Sequence, residues 1–131
     1  MIRVLLADDS PFVRESLTDL LSVSGGMEVV AQCADGSGVL DAVQRTAPDV
    51  VLLDLVMPVV DGLEATRRLL AVQPDARVVL LTGSVSPDAV SEARRLGAAG
   101  YLLKAEDPQY LVEALRTVAL GGDAWSPATM S

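Results

Sequence analysis

Histidine is absent from this chain of 131 residues. Its absence excludes Ser-His-Asp and Cys-His nucleophilic catalysis and leaves no ordinary structural zinc site. One cysteine, Cys33, excludes an intramolecular disulfide and reads as a buried strand thiol. Aromatic residues are few: Phe12, Tyr101, Tyr110 and Trp125. With so few rings, and a loop "DDSPFV" too acidic to cradle a phosphate, a flavin site is a weak option. No apolar run approaches the roughly 20 residues that cross a bilayer. The start "MIRVLLADDS" turns acidic too early for a signal peptide, so a cytoplasmic location without membrane contact is expected. Basic residues are also scarce. A net charge of −8 argues against direct contact with nucleic acid, whose phosphates need a basic surface. Nine of the ten basic residues are arginine, and the one lysine is Lys104.

What is present is a regular alternation. Residues 2–7, 28–33, 50–54, 77–82 and 100–104 are apolar and β-branched runs that predict strands. Between and after them, 11–24, 37–47, 62–73, 87–96 and 108–120 have helical spacing. Ser10-Pro11, Ser86-Pro87 and Asp107-Pro108 each set a capping side chain before a proline at the first helical position. Pro48 and Pro74 stop two helices, and Gly97 and Gly121 sit where two others should end. Strict β-α alternation predicts an α/β fold: a flavodoxin-like, doubly wound, five-stranded parallel sheet of order 2-1-3-4-5 with helices on both faces.

Such sheets bind ligands at the carboxyl edge of their strands. Strand one delivers Asp8 and Asp9 there, strand three Asp54, strand four Thr82 and strand five Lys104. Each has an ordinary explanation alone: helix capping for the first two, a turn for Asp54, strand propensity for Thr82, solvation for Lys104. Together they ask for a single one. Three adjacent carboxylates stay ionised only when cations compensate them. Mg²⁺ prefers a few carboxylates with water and phosphate oxygens, and an ammonium binds a phosphoryl oxygen as a point charge. Without histidine the plausible nucleophile is a carboxylate, and Asp54, on the central strand, is the best held.

The motifs "ADDS", "LLDLVMPVVDG", "LLTGS" and "GYLLK" resemble the receiver domain of two-component response regulators, over residues 1 to about 122. The resemblance implies that Asp54 accepts a phosphoryl group from the histidine of a sensor kinase. It implies Mg²⁺ held by Asp9, Asp54 and the Val56 backbone carbonyl, with Asp8 acting through water. Lys104 would hold the phosphoryl group, and Thr82 and Tyr101 would form a switch pair. "GYLLKAED" and "ALRTVALGGDAWSP" look like the NarL/FixJ, LuxR-type subfamily. There a linker helix and a helix-turn-helix DNA-binding domain follow the receiver. Residues 123–131 would then begin that linker, with DNA contacted only through a domain absent from this chain, and homodimerisation would accompany phosphorylation. A sixth helix is expected to start at Ser126-Pro127; a frayed terminus is the alternative.

The chain departs from the family pattern in places. Ala105 stands where many receivers have proline after the lysine, commonly with a cis bond, and the geometry of the Lys104–Ala105 bond is left open; Gly83 follows the threonine, and Val60 replaces a frequent methionine. Val56 and Ser84 occupy positions that in the family affect dephosphorylation, and an apolar Val56 cannot position an attacking water. Two other functions compete. A phosphorylation-independent docking or dimerisation module would leave the acidic site without a use. A Mg²⁺ phosphatase with an aspartate nucleophile would want an acid two residues later, where Val56 stands.

Overall fold

The computed structural model describes residues 1–130. Its elements are β1 (Ile2–Ala7), α1 (Pro11–Ser24), β2 (Met27–Cys33), a 3₁₀ turn (Gly36–Gly38), α2 (Val39–Thr46), β3 (Val50–Asp54), α3 (Gly62–Val72), β4 (Val78–Thr82), α4 (Pro87–Leu96), β5 (Gly100–Leu103), α5 (Pro108–Ala119), β6 (Ala124–Trp125) and a second 3₁₀ turn (Pro127–Met130). The expected strand order 2-1-3-4-5 is observed, every pairing is parallel, and β6 extends the sheet beyond β5. That sixth strand corrects the expectation of five.

The strands are central because they are apolar on both faces. Leu5, Val51, Leu53, Val78, Leu80 and Tyr101 face one apolar cluster with α2, α3 and α4. Val4, Leu6, Val50, Leu52, Val79, Leu81 and Leu102 face the other, with α1 and α5. All five residues of β3 are buried. At about 1.5–3 kcal/mol per fully buried aliphatic side chain, this strand, like the equally buried β4, gives firm support to the residue at its end.

The three Pro-headed helices start as expected. Ser10 Oγ accepts from Val13 N–H at 3.2 Å, Ser86 Oγ from Ala89 N–H at 3.3 Å, and Asp107 Oδ1 from Gln109 N–H at 2.8 Å. Gly97 closes α4 in the left-handed region at φ 96°. The 37–47 helix is split, because Asp35 caps a short 3₁₀ turn before α2 proper begins at Val39. The Ser126-Pro127 start produces a 3₁₀ turn through Met130; the expected continuation at Ser131 lies outside the described residues. The Lys104–Ala105 peptide is trans, like all those described.

Cys33 is half-buried rather than buried, because β2 is the sheet edge and its outer residues are only partly covered. Burial still pushes its thiol pKa above the ordinary 9.0. The proton is therefore bound more tightly in the folded chain. Its contribution to stability is complete below the ordinary thiol pKa and is lost as pH rises through the folded value. Iodoacetamide at pH 8 should modify Cys33 more slowly than the same thiol in urea; equal rates would contradict the shielding.

Two non-glycine residues among those described have positive φ, Ala47 at the end of α2 and Val59, and the β-branched Val59 is the more strained. It has φ 68° and is 85% exposed, while Val60 N–H donates across it to Pro58 C=O at 2.7 Å. A β-branched residue in this region costs about 1–3 kcal/mol, and glycine costs nothing sterically there. Allowing for the entropy of glycine in the unfolded chain, Val59→Gly should stabilise by about 1 kcal/mol in urea titration. Unchanged or lower stability would contradict the strain.

Candidate functional site

Asp8 and Asp9 follow β1, Asp54 ends β3, and Lys104 follows β5, so parallel topology carries residues from three strand ends to one rim. Carboxylate oxygens of Asp8, Asp9 and Asp54 lie within 4.8 Å of one another. Asp8 and Asp54 are buried, whereas Asp9 is exposed. Lys104 Nζ donates to Asp8 Oδ2 and to Asp54 Oδ2, at 3.1 Å each. The lysine therefore bridges two of the three acids, and the third faces solvent.

Burial raises the Asp54 pKa, the Lys104 ammonium bonded to it opposes that, and the nearby Asp8 charge raises it again. For Lys104, burial alone would favour the neutral amine. Its bonds to Asp54 and Asp8 outweigh burial and carry its pKa above the ordinary range, so the ammonium is firmly charged.

Local chain geometry holds each group. The second oxygen of Asp8 accepts from Ser10 N–H at 2.9 Å, and the Arg14 guanidinium donates to the Asp8 carbonyl. Val56 N–H reaches Asp54 Oδ1 at 3.3 Å, and the Val56 side chain stands 72% exposed beside it. Gly62 lets α3 begin against the Asp54 backbone: a Cβ there would lie 2.5 Å from the Asp54 carbonyl oxygen. Lys104 N–H donates to Thr82 C=O at 2.7 Å, and Glu106 Oε1 accepts from Leu103 N–H at 2.9 Å, fixing the turn that carries the lysine.

Thr82, buried at the end of β4, is opposite Leu103, one step beyond the Asp54–Leu81 pair. Tyr101 is fully buried, and its hydroxyl donates to Ser84 C=O at 3.2 Å in the loop after Thr82. Burial raises its phenol pKa, which keeps the proton for that bond.

Arg14, Ser10 and Glu106 were not legible as site supports. Their contacts depend on loop closure and carry no spacing signal. Six arginines are engaged away from the rim. Arg45, Arg67, Arg68 and Arg95 pair along their own helices, and Arg3 and Arg116 cap distant carbonyls.

Three carboxylates against one ammonium leave net negative charge in a small all-oxygen cluster, a donor set that suits a hard divalent cation. The family model of the response regulator receiver domain matches residues 4–116. The chain belongs to that family. This receiver domain is 39% identical over 121 residues to the transcriptional regulatory protein DegU of Brevibacillus brevis, covering 92% of the chain and 51% of DegU. It is 40% identical over 127 residues to the response regulator GacA of Pseudomonas aeruginosa, covering 97% of the chain and 59% of GacA. A crystal structure of a LuxR-family two-component response regulator from Aurantimonas sp. superposes with a TM-score of 0.93 at 35% identity, covering 98% of this chain and 91% of that one. The receiver thus spans little more than half the length of these curated relatives. Its kinship is with LuxR- and NarL-type regulators, as the motifs implied. It is the receiver domain of a signalling response regulator and not a classical enzyme. No helix among the described residues is long and apolar enough to cross a membrane.

Proposed function

We propose that this receiver takes a phosphoryl group onto Asp54 from the phosphohistidine of a sensor kinase and so controls a transcriptional output. The observation that carries the reading is Lys104 bridging Asp8 and Asp54 beside the exposed Asp9. An Asp54 carboxylate oxygen attacks phosphorus, and the bond from phosphorus to the donor imidazole nitrogen breaks as the new bond to oxygen forms. Asp54 is held rigidly by β3 and kept ionised by Lys104, against its own burial. As charge spreads over the phosphoryl oxygens, the Lys104 ammonium is already in place to receive it, at no cost in reorganisation.

Asp8, Asp9 and Asp54, with the Val56 carbonyl, would hold Mg²⁺. When bound, Mg²⁺ supplies charge neutralisation for the phosphoryl oxygens. The Thr82 hydroxyl then turns toward the acquired oxygens, and Tyr101 is held in the inward, Ser84-bonded position it has here, which fixes the face built from α4, β5 and α5.

The chain covers 51% of DegU, a transcriptional regulatory protein, and 59% of the response regulator GacA, so the output we propose is a DNA-binding domain joined through a linker beginning near residue 123. The chain itself, at −8, makes no DNA contact in this reading. Phosphorylation would favour a homodimer, since paired half-sites need paired readers. A cytoplasmic protein fits this role.

The test is intact mass after incubation with acetyl phosphate. A single phosphoryl adduct that requires Mg²⁺ and is absent from Asp54→Asn is expected. Folded wild type without an adduct would overturn the reading and favour the phosphorylation-independent docking module. Because the exposed Val56 offers no group to orient water, the adduct should persist for minutes or longer. A half-life of seconds would contradict that part.

A further inference from the structure

After α5 the chain turns back onto the sheet. Gly121 adopts φ 102°, and Gly122 N–H bonds to Thr117 C=O at 3.0 Å. Ala124 N–H then donates to Ala99 C=O at 2.8 Å, and Ser126 N–H to Tyr101 C=O at 2.9 Å. Residues 124–126 thus form a strap along β5 with Trp125 in register with Tyr101. Gly100 makes the approach possible, because a Cβ there would lie 2.3 Å from the Ala124 carbonyl oxygen. The Trp125 ring lies beneath the Arg94 guanidinium of α4, 3.9 Å from Cζ to ring centre.

These contacts tie the strap to both sides of the proposed switch. Its backbone is bonded to Tyr101 itself. Parallel register partners project to the same face, and Tyr101 and Trp125 pack on the same apolar cluster. Arg94 anchors the indole to the helix that follows the Ser84 loop, where the Tyr101 hydroxyl is held. A Tyr101 side chain swinging outward would move toward the sheet edge, where the indole stands.

We infer that the 124–126 strap is a readout element: its docking on β5 and the inward, Ser84-bonded position of Tyr101 stabilise one another. The inference rests on the receiver reading above. Phosphorylation that favours inward Tyr101 then tightens the strap, and the direction in which the chain leaves residue 126 depends on Asp54. By reciprocity, loosening the strap weakens binding of a phosphoryl mimic by the same factor.

The experiment combines intact mass, hydrogen exchange and fluorescence of the single tryptophan on the chain treated with acetyl phosphate and Mg²⁺. Exchange at the Ala124 and Ser126 amides should slow by about fivefold or more, with a change in Trp125 emission. Arg94→Gln frees the indole, Trp125→Ala removes it, and Gly100→Ala expels the strap, Trp125 with it, while keeping both aromatic side chains in the sequence. Each should weaken beryllofluoride binding in Mg²⁺ by about fivefold or more. An adduct on Asp54 with unchanged exchange and emission would overturn the inference and leave the receiver reading standing. Wild-type beryllofluoride affinity in all three variants would do the same. Absence of any adduct would overturn both.

Discussion

Lys104→Met should bind Mg²⁺ more tightly than wild type and yet be phosphorylated about a hundredfold more slowly. Lys104 is the sole ammonium on the acidic cluster, so its removal strips out a positive charge that repels the cation. At the effective dielectric of a protein rim, that repulsion is on the order of 1–3 kcal/mol, or about tenfold or more in affinity. The same charge is what receives the phosphoryl oxygens, and losing one such preorganised donor costs about 10²–10³ in rate. Affinity and rate therefore move in opposite directions. A uniform loss of both would mean that Lys104 acts only by holding the fold together.

Stability offers a separate check on this variant. Without Lys104, the buried Asp8 and Asp54 face each other uncompensated. Breaking a buried ion pair costs about 3–5 kcal/mol, and the one-third exposure of the ammonium brings this nearer 2 kcal/mol at neutral pH. The folded-state pKa of Asp54 already lies above its ordinary 3.8. Its contribution to stability is therefore complete below that value and lost as pH rises through the folded one. The deficit of Lys104→Met should accordingly shrink as pH falls toward 4, and urea titration at two pH values measures it. A deficit that grows in acid would contradict the charge account.

Asp9→Asn should do the reverse to the cation. Asp9 is the exposed member of the cluster and makes no support for Asp8 or Asp54, so its loss leaves their bonds to Lys104 intact. One unit charge removed from close contact with a dication is worth several kcal/mol before solvation offsets it, so Mg²⁺ affinity should fall by about a hundredfold. The metal-free variant should be slightly more stable than wild type, because one of three mutually repelling carboxylates is gone. Mg²⁺ should stabilise wild type by mass action and leave the variant's melting temperature unmoved at the same concentration. Calorimetric titration and melting with and without Mg²⁺ check both. Undiminished affinity would move the cation away from Asp9.

The strands and the three Pro-headed helix starts can be read from the chain because they depend on local pattern, and strict β-α alternation then implies the parallel sheet and its rim. Val50–Leu53 can only be a strand buried on two faces, and parallel topology then dictates where Asp54 must emerge. Ser10, Ser86 and Asp107 before proline are equally local signals. What escaped were contacts made by closure. β6 is two residues long, and its docking depends on the absence of a side chain at Gly100, far from it in sequence. The positive φ at Val59 opposes the preference of valine, so no propensity could announce it. Cys33 reads as buried from its apolar pattern, but the half-covered edge strand leaves it partly exposed. The cation–π contact between Arg94 and Trp125 likewise exists only once α4 and β6 are in place.

The most direct test of the central claim is chemical identification of the phosphorylated atom. An acyl phosphate on aspartate is reduced by borohydride to homoserine, and tandem mass spectrometry then places the change in the sequence. Chain phosphorylated by acetyl phosphate in Mg²⁺ and reduced at once should carry homoserine at position 54 alone. Homoserine at Asp8 or Asp9, or a stable phosphate ester on Thr82 or Ser84 in its place, would contradict the account.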